Sequence, residues 1–490
     1  MKKWKISASI LTVILLLAAC GGGDDDDVTT VTPPPTKDTT SVTPPTNPTS
    51  ITLPAKELRG VWMATVWGID WPQSTDVTTQ KQEYTSYLDL FVKHNINAVF
   101  VQVRGMADAF YDSPYEPWAK VLTGTTNGNP GYNVLKFMID EAHKRGLAFH
   151  AWINPYRIAT RSGATASFPA LDARIPASMV KDYNKIRIYN PALPSVQQRI
   201  IDIVKDIVSK YEVDGIHMDD YFYPALDTGE SMNDDAEYKL YGGDYNSITT
   251  FRIGNVNKVI KGIHEAIQSI RPQVVFSVSP SGNNEYNLNQ LYADVANWSR
   301  SSWTEIIIPQ LYYNASTFQS RLSWWTQNAA QKNALMIGYG VYRFGDSTQG
   351  ADFATNAQLS TEMSLAATNN TVRGSVLYSA NSLKKNSADV LSVIDRFYAK
   401  PAVIPFLGKY QATPPSAPTN LTISGSRLSW GDVNGAYYAV YLGNGTDKTA
   451  TLMAVTANTS FTLPQRGTYF VTAVNKSDNA ESQLSKGVTY

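Results

Sequence analysis

Two adjacent carboxylates stand among aromatic rings in the run Val213-Asp214-Gly215-Ile216-His217-Met218-Asp219-Asp220-Tyr221-Phe222-Tyr223-Pro224. A carboxyl group can carry a proton to or from a reacting atom, or attack it directly. Read as a buried strand, the segment alternates faces. Ile216 and Met218 fall on one side, and His217, Asp219 and Tyr221 on the other. Asp219 then sits at the strand's C-terminal end, where barrel enzymes keep their chemistry. Asp220 points the opposite way in a regular strand. It reaches the same space only if the strand stops before it, or else it orients Arg104 or His150.

Such a carboxylate needs a frame, and the chain predicts one. Apolar strand-like runs recur at Gly60–Val66, Ala98–Val103, Ala148–Ile153, Gly215–Asp219, Val274–Ser279, Ile306–Leu311, Ala334–Tyr339 and Gly374–Tyr378. Helical patterns separate them, among them Tyr132–Arg145, Pro194–Tyr211 and Asn255–Ile270. Strands alternating with helices in this number predict an α/β fold of the (β/α)8 barrel type, with enlarged βα loops. An open doubly wound sheet would show a Gly-rich turn after its first strand, and Trp67-Gly68-Ile69-Asp70-Trp71-Pro72 is not one.

The predicted strand ends share a chemistry. Arg104 closes the second, with Asp112 shortly after it. His150, Trp152 and Asn154 share a face of the third, followed by Tyr156. Asn283 follows the fifth, and Gln310 and Tyr312 end the sixth. Tyr221 and Tyr223 follow Asp219. Amides, an arginine and aromatic rings on one rim suit a polyhydroxylated ligand, because amides bond hydroxyls and rings cover apolar sugar faces.

Composition excludes other classes. Lys plus Arg (42) balances Asp plus Glu (42), so no nucleic acid is expected as partner. The 5 His lack clustered ligand spacing, and no Gly-rich phosphate loop or nucleophile elbow occurs, so neither a metal nor a cofactor is expected. Asp234, Asp235 and Asp244 share one loop that reads as solvated. A monomer is expected.

The ends of the chain read differently. Lys2, Lys3 and Lys5 precede an apolar run, Ile6 to Ala19, that is short for a membrane span. Leu17-Ala18-Ala19-Cys20 resembles a bacterial lipobox, which makes residues 1–19 a signal peptide and the only cysteine a lipid attachment point. The following Asp24–Asp27 resembles the surface-export signals of Bacteroidetes lipoproteins. Thr, Pro and Ser dominate up to residue 54, so residues 20–54 read as an extended tether. The barrel is expected over residues 55–405. Beyond the linker Ala412–Pro418, short alternating runs predict a β-sandwich over residues 414–490. Its Leu428-Ser429-Trp430 and Tyr469-Phe470-Val471-Thr472-Ala473-Val474-Asn475 resemble a fibronectin type III domain. An independent spacer is expected there, removable near Tyr410 without loss of the barrel's melting transition.

Leu58-Arg59-Gly60-Val61-Trp62, Gln102-Val103-Arg104, Trp152-Ile153-Asn154-Pro155-Tyr156, the Asp219-Asp220 segment and Pro309-Gln310-Leu311-Tyr312 together resemble glycosyl hydrolase-like family 10. That resemblance implies a barrel, often on a lipoprotein, that cleaves peptidoglycan glycan strands. Asp214-Gly215-Ile216-His217-Met218-Asp219 is also similar to the fourth-strand motif of alpha-amylase-type barrels, which implies Asp219 as nucleophile. In family 18 chitinases the acid stands two residues further on, where this chain has Tyr221. Glycoside hydrolysis uses two carboxyl groups. Asp219 is the first, and Asp220, Glu285, Asp112 and Glu116 are the candidates for the second. Arg104, Asp112, His150, Trp152, Asn154, Tyr156, His217, Tyr221, Tyr223, Asn283, Gln310 and Tyr312 are the expected substrate contacts. The expected function is a glycoside hydrolase of cell-wall glycan, held by a lipid on Cys20 to the outer membrane or cell surface, or facing the periplasm. Hydrolysis of another polysaccharide, or glycan binding without catalysis, are the alternatives.

Overall fold

A computed structural model of the protein describes residues 51–330, 332–445 and 448–490. The signal peptide, Cys20 and the acidic run lie outside the described residues. Among the described residues, eight parallel strands close into a barrel. They are β1 (Leu58–Met63), β2 (Ala98–Arg104), β3 (Ala148–Ile153), β4 (Gly215–Met218), β5 (Val275–Val278), β6 (Ile306–Ile307), β7 (Ala334–Tyr339) and β8 (Val372–Tyr378). Each pairs with the next, and β8 returns to β1 with Leu58 opposite Gly374. The α/β barrel expected from the sequence is therefore present.

Side-chain alternation divides the core into two layers. Leu58, Trp62, Phe100, Trp152, Met336 and Val376 fill the barrel's interior. Val61, Val99, Phe149, Ile216, Met218 and Phe276 point outward against the helices. The helix Pro194–Lys210 answers with Val196, Ile200, Ile203, Val204 and Ile207, all on its buried stripe. The helix predicted from Asn255 begins seven residues earlier, at Ile248. Ser247 and Thr250 cap it reciprocally, a start signal that two β-branched threonines disguise. β6 is shorter than its apolar run, because Pro309 has no N–H for the ladder.

Two departures from the sequence reading matter for function. After β3 the chain adds a small antiparallel sheet of Arg157–Thr160, Val180–Asp182 and Ile186–Tyr189, which was not anticipated. The C-terminal residues form a three-stranded and a four-stranded antiparallel sheet around Leu428, Trp430, Tyr438 and Val471, but they are not a free spacer. Val403, Ala439, Tyr441, Leu452 and Val474 form one cluster, joined by Ile51 and Leu53. Thr52 N–H donates to Lys448 O at 2.7 Å, Lys56 pairs with Glu481 at 2.7 Å, and Tyr410 donates to Asp478 at 2.9 Å. The tether expected up to residue 54 is thus seated from Ile51 onward. Alternating apolar residues on the sandwich's outer face cover it.

Candidate active site

The end of β4 decides the geometry of the site. The strand stops at Met218, so Asp219 and Asp220 both lie beyond its ladder, at the barrel's C-terminal mouth. Asp219 is only 3% exposed. Its Oδ2 accepts from Trp152 Nε1 at 3.1 Å, and its Oδ1 from Tyr221 N–H at 3.3 Å. Asp220 is half-buried and hydrogen-bonds the Gln310 side chain. Gln310 Nε2 also donates to Ser279 O at 2.9 Å, which fixes that amide against β5.

Burial first, and the charge of Asp220 second, push Asp219 well above the usual carboxylate range. Arg157 and the two hydrogen bonds oppose that shift. Burial also raises Asp220, against Gln310 and Arg157. In a site of low polarity, the charge of Asp220 makes ionising Asp219 beside it costly. Arg157 is the cation that acts on both. Its guanidinium lies 4.0 Å over the Tyr221 ring. Its Nε is buried without a hydrogen-bond partner among the described residues.

The layer beneath is neutral. His217 Nε2 accepts from Trp62 Nε1 at 2.9 Å, and its Nδ1 faces Ser277 Oγ at 2.8 Å. Burial pushes this imidazole well below its ordinary range. It supports Trp152 and Trp62 as an uncharged ring. Across the mouth stand Tyr312, Tyr342 and Tyr378, with ring centroids 5.8–6.2 Å apart. The charge of Asp219 acts on Tyr378, and that of Asp220 on Tyr312, so the carboxyls and the aromatic wall share one space. Pre-formed aromatic walls with a few convergent polar groups are what a sugar-binding site requires.

Of the residues expected at the site, Asp219, Asp220, Trp152, Tyr221, Gln310 and Tyr312 meet at the mouth, with His217 just below. Others are elsewhere. Arg104 is fully buried, paired with Glu116 at 2.6 Å, and donates to the Asn154 and Pro155 carbonyls. It holds the turn after β3. Asn154 is buried and accepts from Gln102 at 3.0 Å. His150 stacks on Phe100 inside the barrel and lines a small cavity with Leu58 and Asp214, residues at the strands' N-terminal ends. Tyr156 and Tyr223 are buried in the helix-facing core, Tyr223 accepting from Asn255 at 3.2 Å. Asn283 is half-buried and caps a short helix, Asn284–Asn289. Glu285 and Asp112 are exposed, and neither is among the groups that shift Asp219 or Asp220. Asp234 of the acidic loop is bound by Arg252 at 2.5 Å.

Tyr378 and Arg157 were not singled out in the sequence. Tyr378 had a signal, being the last residue of the predicted eighth strand. Arg157 lies past a strand end, where parity no longer assigns a face.

Comparison with known proteins agrees with this frame. The family model of Glycosyl hydrolase-like 10 matches residues 57–354. Glycosyl hydrolase YngK of Bacillus subtilis is 33% identical over 89% of this chain and 93% of its own length. Glycosyl hydrolase DigH of Escherichia coli is 33% identical over 63% of this chain and 79% of its own. Among solved structures, the glycoside hydrolase domain of PgaB from Bordetella bronchiseptica superposes with a TM-score of 0.48 at 11% identity, covering 71% of this chain and 100% of that one. The chain belongs to the glycosyl hydrolase-like 10 family and is a glycoside hydrolase built on a (β/α)8 barrel.

Proposed function

We propose that this hydrolase cleaves the glycan strands of bacterial peptidoglycan, with Asp219 and Asp220 as its carboxyl pair and a lipid on Cys20 as its membrane anchor. The observation that carries the catalytic part is the placement of the two carboxyls, with the charge of Asp220 acting on Asp219. Two carboxyls meet at the barrel mouth beside one cation and an aromatic wall. Glycosidic cleavage needs one protonated carboxyl to protonate the leaving oxygen, and one ionised carboxylate to act at the anomeric carbon or on water. A pair that shares one proton supplies both forms at once. Asp219, the deeper and more strongly raised member, is the better proton holder, and Asp220 is the better anion. This assignment exchanges the role that the amylase-like motif implied for Asp219. The glycan substrate and the cell-envelope location rest on the family resemblance and on the lipobox.

The test uses the full chain on three materials: peptidoglycan with its stem peptides, glycan strands stripped of peptides, and an unrelated polysaccharide. Stripped strands are cut best. Asp219→Asn and Asp220→Asn each lower kcat by about 10³-fold or more, since an amide neither donates that proton nor replaces that anion. Both variants keep the melting temperature, because the amide is nearly isosteric. Full activity of either variant removes that residue from the pair. Cleavage of the unrelated polysaccharide alone reassigns the substrate, and binding without cleavage of any material makes the barrel a lectin-like module. Cys20→Ser moves the protein from the membrane fraction to the soluble one. Unchanged fractionation overturns the anchor.

A further inference from the structure

The proposed site does not explain the loop after β1. Trp67 is 64% exposed, yet its backbone is held at φ 55°, ψ 17°, a left-handed conformation that a bulky side chain rarely adopts. Neighbouring contacts impose it. Thr65 and Val66 N–H both donate to Gln102 Oε1, at 3.1 and 2.9 Å, and Thr65 Oγ1 donates to Gln102 O at 2.6 Å. Downstream, the Gln73 side chain donates to Gly68 O. An outlier that its surroundings enforce, carrying a large ring into solvent, points to function rather than packing.

The ring borders a cleft of about 550 Å³, whose walls include Met106, Asp108, Lys120 and the strand Ile158–Thr160. That volume suits a ligand of a few rings. One wall of the cleft, Ile158–Thr160, belongs to the same strand as Arg157, the cation that acts on both carboxyls. Along an extended strand, Arg157 to Thr160 covers about 10 Å, a span of one or two sugar rings. Asp108 is half-buried on the cleft wall and accepts from Met106 N–H at 3.0 Å. Its carboxylate has further acceptor capacity for hydroxyl or amide hydrogens.

We infer that this cleft is a distal glycan subsite, in which Trp67 covers the apolar face of a pyranose one or two residues from the bond being cut and Asp108 accepts from its polar edge. This deepens the proposed function and rests on it. The subsite makes the enzyme select long chains over short ones. The structure combines an aromatic platform, a polar partner and a wall strand shared with Arg157, which is the combination a polymer chain needs.

The test measures binding of peptide-free peptidoglycan strands to the full-length Asp219→Asn protein by titration calorimetry, then adds changes at Trp67. Trp67→Ala weakens Kd about tenfold and Trp67→Phe about twofold, as the apolar face is lost or reduced. Trp67→Gly weakens Kd like alanine but holds or raises the melting temperature, since glycine accepts positive φ freely. With the wild-type carboxyls restored, Trp67→Ala lowers the ratio of kcat/KM on long strands to that on the shortest cleavable oligosaccharide about tenfold. Unchanged Kd and unchanged length preference in Trp67→Ala overturn the subsite, and so does a lower melting temperature in Trp67→Gly. Failure of the parent Asp219→Asn protein to bind the strands overturns the peptidoglycan reading instead, and it is seen before any Trp67 variant is made.

Discussion

Glu116→Gln separates two roles that the sequence left open for one residue. If Glu116 were the second catalytic carboxyl, its amide would abolish turnover and leave the fold intact. The structure places it instead against Arg104, with both side chains wholly buried and two N–H···O contacts of 2.6 Å. Tyr189 Oη adds a third bond to it at 3.1 Å. The carboxylate beside Arg104 also holds that guanidinium firmly protonated. Neutralising Glu116 therefore strands a buried cation, a change that costs about 3–5 kcal/mol. Unfolding entropy of about 2.1 cal/mol/K per residue, over the roughly 440 residues of the compact unit, converts this into a drop of about 3–5 °C in melting temperature. Arg104 also donates to the Asn154 and Pro155 carbonyls, next to Trp152 and Arg157. Activity therefore falls in part, about tenfold, through a misplaced turn rather than a missing acid. Differential scanning calorimetry and steady-state rates on stripped glycan strands check both numbers. A variant with wild-type melting and no detectable turnover refutes this reasoning and returns Glu116 to the list of acids.

Arg157→Gln removes the cation that lowers both Asp219 and Asp220, so each keeps its proton to higher pH, and both limbs of the kcat/KM profile move alkaline by about one pH unit. Arg157→Lys returns them toward wild type, and limbs that stay in place in Arg157→Gln refute the electrostatic role. Ending the chain after Tyr410 uncovers Val403, now only 3% exposed, and deletes the Glu481 partner of Lys56, which together cost about 2–3 kcal/mol. A melting temperature unchanged by that truncation restores the reading of the C-terminal sheets as a free spacer.

How much of this the sequence discloses depends on what the information rests on. β3 and β7 have the bounds read from their apolar runs, because both faces of a barrel strand are buried and the one polar member, His150 of β3, is buried with them. Parity put His217 and Trp152 inside the barrel, and it holds wherever the ladder is regular. It fails past strand ends. Tyr156 and Tyr223 follow β3 and β4, and the turns send both into the helix layer. Arg104 was legible as a strand-end residue but not as a buried one, since its partner Glu116 arrives from a loop 12 residues later. The sheet Arg157–Thr160, Val180–Asp182 and Ile186–Tyr189 left little trace, because most of its residues are only half-buried and carry no strong alternation.

The same failure of parity accounts for the carboxyl pair. A strand continued through Asp220 would point Asp219 into the barrel and Asp220 into the helix layer, among groups such as Ile216 and Met218 that cannot solvate it. Ending the ladder at Met218 lets both side chains share the mouth, where the charge of Asp220 raises the cost of ionising Asp219. A conventional two-carboxyl site recruits its members from different strands and sets the stereochemistry by the gap between them. Here neighbours in sequence meet, and the distinction between them comes from depth. Asp219 is enclosed by the Trp152 indole and the Tyr221 amide, and Asp220 stands nearer solvent against Gln310. His217 below is neutral, and Arg157 is the cation that acts on both carboxyls. In the proposed assignment the proton divides between two chemically identical groups chiefly by burial, with the charge of Asp220 adding to it at Asp219, which is how one residue type can serve as acid and as anion in a single site.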